Sequence, residues 1–115
     1  PQAWRDKLHG LVDRAVAFAR EVASKSENEA DARRATSLLY HVASAVAFGW
    51  EAHRIHAMRG DARRLLLSRL VVDHRVLPTD PFRLAENAAQ AKIAALLLGD
   101  RDAAMSEVGE LVLAA

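Results

Sequence analysis

One stretch constrains this chain more than any other. Residues Ala35 to Met58 read ATSLLYHVASAVAFGWEAHRIHAM, the most apolar long segment of the sequence. The chain's apolar content is mostly Ala, Leu and Val, aromatics are only 5%, and Ala and Leu are strong helix formers. The segment therefore reads as one central helix. From Ala43 to Trp50 it is apolar nearly all round, and a helix of that kind is buried by neighbours on several sides. Ala43, Ala45, Ala47 and Gly49 are small, which allows close helix approach.

The remaining segments read as shorter amphipathic helices laid against this one. Trp4, Leu8, Leu11, Ala15, Phe18 and Val22 recur at spacings of four and three, which predicts a helix from Ala3 to Lys25 with one apolar stripe. Gly10 lies inside it and weakens it by about 1 kcal/mol relative to Ala. Ser26 and Glu29 have the spacing of a capping box, so the second helix runs from about Glu27 to Arg59, with Leu38, Leu39 and Val42 inward. Gly60 ends it and Asp61 caps the next, which carries Leu65, Leu66, Leu67, Leu70, Val71 and Val72 as far as His74. Leu77-Pro78-Thr79-Asp80-Pro81 is a break, with Asp80 as N-cap and Pro81 as first helical residue. A fourth helix follows to Leu98, with Phe82, Ala85, Ala89, Ile93 and Leu97 on one side. A fifth runs from Asp100 to Ala114 with Met105, Val108, Leu111 and Val112 inward. The connections are short, so the expected fold is all-α: an up-and-down bundle of four to five helices around a long second helix.

The 115 residues fit one domain, 1–115. The chain begins at Pro1 without Met, so it reads as trimmed or as a piece of a longer polypeptide. A net charge of +1 supplies no global field to steer nucleic acid or a membrane surface. There is no cysteine, which excludes disulfides and thiolate metal sites. No apolar run approaches the roughly 20 residues that cross a bilayer, and no stretch reads as a signal peptide. The cytoplasm is the expected location.

Three groups of residues merit a chemical reading. His53 and His56, three apart on one helix face, have a spacing that can hold a metal, but no Glu-x-x-His pattern accompanies them, and the plainer reading is two partly buried histidines near a helix end. Trp50 sits in the most apolar stretch and reads as core, or as a stacking surface in a ligand pocket with His53 and His56. Tyr40 reads as a polar tip on a buried helix. Arg54, Arg59, Arg63, Arg64, Arg69 and Arg75 form the most basic region, a candidate phosphate contact or, more plainly, a solvated face paired with acidic neighbours. No catalytic triad, phosphate-binding glycine loop or paired-carboxylate motif occurs.

The stretches SLLYHVASAVAFGWEAHRI and GDARRLLLSRLVVDHRVLPTDPF resemble the carboxy-terminal helical part of bacterial acyl-CoA dehydrogenase family proteins. The resemblance covers about Ser37 to Phe82 and lies in helix lengths, Ala/Leu/Arg usage and a leucine-rich helix ending in a proline turn. It implies a helical module that supports a flavin site and subunit contacts, with FAD held by the full-length protein and no cofactor in this chain alone. The family's Gln-x-x-Gly-Gly-x-Gly-Tyr turn is absent and no Glu matches the catalytic base, so no catalytic or cofactor-binding residue carries over. Separately, Arg69-Leu-Val-Val-Asp-His74 resembles the Arg-x4–6-His motif of HEPN domains, helical RNA-binding or RNA-cleaving bundles, although Leu70 stands where that family places a polar residue. This implies RNA contact through Arg69 and His74, whereas residues five apart on an α-helix lie about 140° apart around the axis. The preferred expectation is a non-catalytic assembly module that packs as a homo-oligomer or against the rest of a longer polypeptide. The alternatives are the RNA-acting domain and a small-ligand binder around Trp50, His53 and His56.

Overall fold

A computed structural model describes residues 1–25, 27–78, 82 and 87–114. Among these residues there are five α-helices and no strand. They are α1 (Gln2–Lys25), α2 (Glu29–Arg59), α3 (Arg64–Val71), α4 (Asn87–Leu98) and α5 (Met105–Leu113), and α3 continues into a π-helical turn, Val72–Val76. The long α2 is the spine. It packs against α1 on one flank and α3 on the other, and α5 closes over α3 and α1.

The apolar stripe of α1 does what its spacing dictates. Trp4, Leu8, Leu11, Ala15 and Val22 are buried, and Phe18 is half-buried at the edge. Opposite them stand Val42, Ala45 and Ala52 of α2, and beneath lie Leu65, Leu66 and Val72. Leu66 is fully buried, so truncating such a side chain to Ala costs about 2–5 kcal/mol. A buried polar relay joins three helices: the Trp4 indole N–H donates to Ser68 Oγ at 3.1 Å, and the Ser68 hydroxyl donates to the Ala45 carbonyl at 2.7 Å.

The helix ends correct several expectations. Asn28, not Ser26, caps α2, its side-chain oxygen accepting the Ala30 N–H at 2.8 Å; Ser26 lies outside the described residues. Gly60 ends α2 as expected, in the left-handed conformation at φ 78°, its N–H bonded to the His56 carbonyl at 2.8 Å. Asp61 accepts the Arg63 N–H at 3.2 Å at the approach to α3, as a capping side chain does, whereas Arg63, directly before α3, makes no side-chain cap bond, and the third helix does not reach His74 as an α-helix. It widens at Val72, where the Leu77 N–H reaches back five residues to the Val72 carbonyl at 2.7 Å. The expected cap at Asp80-Pro81 falls outside the described residues, as does Ala85, and α4 is described from Asn87. Phe82, expected to face inward, is 92% exposed, whereas Ile93 is buried and Leu97 half-buried. Helix α5 begins at Met105 rather than Asp100, because a contact from far along the chain holds the preceding backbone extended.

That contact centres on Asp61, which is only 5% exposed. Its Oδ1 accepts the backbone N–H of Ala103 and of Arg63, and Arg63 Nε and Nη2 donate to its two oxygens at 3.1 Å. The Ala62 N–H donates to the Ala103 carbonyl at 2.8 Å, so both polar groups of Ala103 are committed to this corner and residues 100–104 cannot enter the helix. Arg63 Nη1 also donates to the Gly99 carbonyl at 2.8 Å. Burial pushes the Asp61 pKa up, but the bonds from Arg63, Ala103 and Arg59 outweigh it and hold the carboxyl well below the usual range. The same Asp61 hydrogen bond raises the pKa of Arg63.

Candidate functional site

The largest departure from expectation concerns α2. Its segment Ala43–Trp50 is apolar nearly all round, yet neighbours cover one side only. Val42 and Ala45 are buried, whereas Leu39, Ala43, Val46, Ala47 and Trp50 are exposed. Trp50, read as core, is 60% exposed, and the buried indole is Trp4. Tyr40 is 68% exposed, its ring meeting His41 edge-on at 5.2 Å. Leu39, expected inside, lies on this outer face. At 100° per residue, Leu39, Ala43, Val46 and Trp50 fall within about 60° of one another, forming a single outward stripe.

Beside the stripe, the first half of α1 and the second half of α2 enclose a groove of about 470 Å³. Its floor includes the buried side chains of Trp4, Leu8, Ala52 and Leu65, with Met105 of α5. Gly49 lines it without a side chain; a Cβ there would meet Leu8 Cδ1 at 3.5 Å, ordinary contact. Trp50 and His53 stand at the mouth from α2, and Arg5, His9 and Val12 from α1. The Arg54 guanidinium lies 5.1 Å from the centre of the Trp50 ring, a cation–π contact worth roughly 0.5–1 kcal/mol at such an exposed site.

The structure therefore brings Trp50 and His53 together but leaves His56 out of the groove lining, half-buried. Among the described residues no group of three or more His, Cys, Asp or Glu side chains could hold a metal ion. Arg69 and His74 face different surroundings. Arg69 is buried, its Nε donating to Asp73 Oδ2 at 3.0 Å and its Nη1 to the Leu111 carbonyl, so it anchors α3 to α5. His74 is exposed. Contact with RNA through this pair would require Arg69 to leave both partners. Most of the basic region is likewise committed: Arg59 and Arg63 to Asp61, Arg64 to Glu51 at 2.7 Å, and Arg54 to the Trp50 ring.

The sequence reading missed Arg5 and His9. Their spacing of four, with Val12 three further on, runs along the edge of the buried α1 stripe, which is the signal that was there to be used. Among the described residues no helix is long and apolar enough to cross a membrane. No protein-family model, no curated protein and no solved structure matches the chain.

Proposed function

We propose that the chain is a non-catalytic helical assembly module that associates through the outer stripe of α2. One observation carries this reading: Leu39, Val46 and Trp50 stay exposed on the longest helix after the bundle has formed. Exposed apolar residues scattered singly need no explanation, but a contiguous stripe marks an interaction surface.

A second copy fits the stripe best. Leu39 and Trp50 bracket the smaller Ala43, Val46 and Ala47, so two α2 helices crossing antiparallel would set Leu39 of each copy against Trp50 of the other. That arrangement is self-complementary, as a two-fold contact requires. It also places the acidic N-terminal turn, with Glu29 and Asp31, alongside the last turn of the other copy, which carries His56 and Arg59, and opposes the helix dipoles favourably. In the wider setting suggested by the acyl-CoA dehydrogenase resemblance, the same face packs against the remainder of a flavoprotein that holds FAD elsewhere. The support for that setting is the helix lengths and the leucine-rich helix with its proline turn over Ser37 to Phe82. Coding sequence upstream of Pro1 with a β-rich flavin-binding body would sustain it; a start codon directly before Pro1 would remove it.

Sedimentation velocity over a wide concentration range tests the association. The wild-type chain is expected to form a dimer as concentration rises, and Trp50→Glu, at an exposed position, to stay monomeric with an unchanged helical circular dichroism spectrum. A wild-type chain that remains monomeric throughout, or a Trp50→Glu variant that still dimerises, would overturn the proposal.

A further inference from the structure

The groove between α1 and α2 has a chemistry that self-association does not use. Its floor is apolar, formed by side chains such as Leu8, Leu65 and Met105. Its volume lies within the roughly 300–1,000 Å³ range of small-molecule sites. Its mouth is basic: Arg5 carries a permanent positive charge, and His9 and His53 each offer an N–H donor whether or not they are protonated. No Asp or Glu lines the groove. Among the described residues, the side chains of Arg5, His9 and His53 make no hydrogen bond or ion pair, whereas Arg59, Arg63, Arg64, Arg69 and Arg101 are all engaged with carboxylates. An apolar groove edged by three basic side chains, with no Asp or Glu in its lining, is a charge-complementary fit for one class of occupant.

We propose that this groove binds a small apolar carboxylic acid, its body against the Trp4, Leu8 and Leu65 floor and its carboxylate among Arg5, His9 and His53. Arg5 supplies bidentate geometry for the acid, and the histidines fix its orientation. The groove shares Val46 and Trp50 with the α2 stripe, whereas Arg5 and His9 lie on α1, off that stripe, so the charge test is separable from self-association.

Both tryptophans of the chain, Trp4 and Trp50, line this groove, so intrinsic fluorescence reads its occupancy directly. The probes are decanoate and its uncharged counterpart decanol, each kept below the concentration at which it aggregates, with protein dilute enough to be monomeric by sedimentation. Decanoate is expected to give a saturable fluorescence change. Arg5→Glu/His53→Glu, two exposed positions, is expected to weaken decanoate at least tenfold while leaving decanol binding, helical content and melting temperature unchanged. Val46→Trp, which adds bulk at the groove wall, is expected to weaken both probes. Three outcomes would each overturn the proposal: no saturable change with decanoate, decanol bound as tightly as decanoate by the wild-type chain, or decanoate affinity unaffected by the double charge reversal.

Discussion

Replacing Asp61 by Ala removes a carboxylate on which two segments of the chain converge. The loss is worked from its bonds. The Ala103 N–H, on a fully buried residue, loses its acceptor, and an unsatisfied buried donor costs about 1–3 kcal/mol. Arg63 loses its paired donation to both carboxylate oxygens and keeps the Gly99 carbonyl, with Asp102 at 3.5 Å as a half-exposed substitute. Breaking a buried pair by removing one partner costs about 3–5 kcal/mol, and the remaining contacts of Arg63 place this case near the lower end. A destabilisation of about 3–4 kcal/mol lowers the melting temperature of a domain this size by roughly 12–16 °C. Asp61→Asn keeps an acceptor for the two backbone N–H groups but not the charge, so a loss of roughly half that size is expected. Thermal unfolding followed by circular dichroism, with a denaturant titration beside it, measures both. An Asp61→Ala variant within about 0.5 kcal/mol of wild type, the range of an ordinary surface substitution, would refute the reasoning. Acid gives an independent check. The folded-state pKa of Asp61 lies below its unfolded value, so between the two the unfolded chain binds the extra proton and stability falls as pH falls. The contribution is complete above the ordinary carboxylate range and is lost below it, by up to about 1.4 kcal/mol per pH unit. In Asp61→Asn that part of the acid slope disappears.

Other positions give smaller, separable effects. Ser68→Ala strands the Trp4 indole N–H in the core and is expected to destabilise by about 1–3 kcal/mol, read from the denaturant midpoint, with a change in tryptophan emission. Gly10→Ala meets nothing within 4 Å of the new Cβ and is expected to stabilise α1 by roughly 0.5–1 kcal/mol; a lower melting temperature would contradict the helical placement. Gly60→Ala puts a Cβ on a residue at φ 78° and is expected to cost about 1–2 kcal/mol, although the space around it is open.

The parts of the fold that were legible in the sequence are those set by local rules. The α1 stripe was, because five of its six predicted members are buried by simple periodicity. The Gly60 stop was, because only a residue without a side chain enters that conformation easily. What escaped depended on distant partners. The late start of α5 follows from Asp61, forty-two positions from Ala103. Arg69 read as part of a basic, solvated face, and its burial follows from a carbonyl on α5 that no local pattern announces. Trp50 and Tyr40 read as interior because an all-apolar helix implies neighbours on every side, but periodicity cannot count how many neighbours a short chain can supply. The groove was half visible. Trp50 and His53 stood out, while Arg5 and His9 acquire meaning only when α1 lies beside α2.

The clamp at Asp61 also divides the molecule by its motions. Arg63 grips the Gly99 carbonyl and Asp61 the Ala103 N–H, so the short connection between α4 and α5 is fixed at two points to the start of α3. Helix α4 runs into this clamp and packs on the core through Ile93, Leu96 and Leu97, meeting α5 among its neighbours. Because the clamp holds the segment leading into α5 independently of α4, α4 is expected to open, at the cost of exposing Ile93, before α5 or the joint among α1, α2 and α3 is released. In amide hydrogen exchange, α4 would trade its protons through this local opening, whereas the amides around Ser68 and Ala45 would wait for the whole domain to unfold.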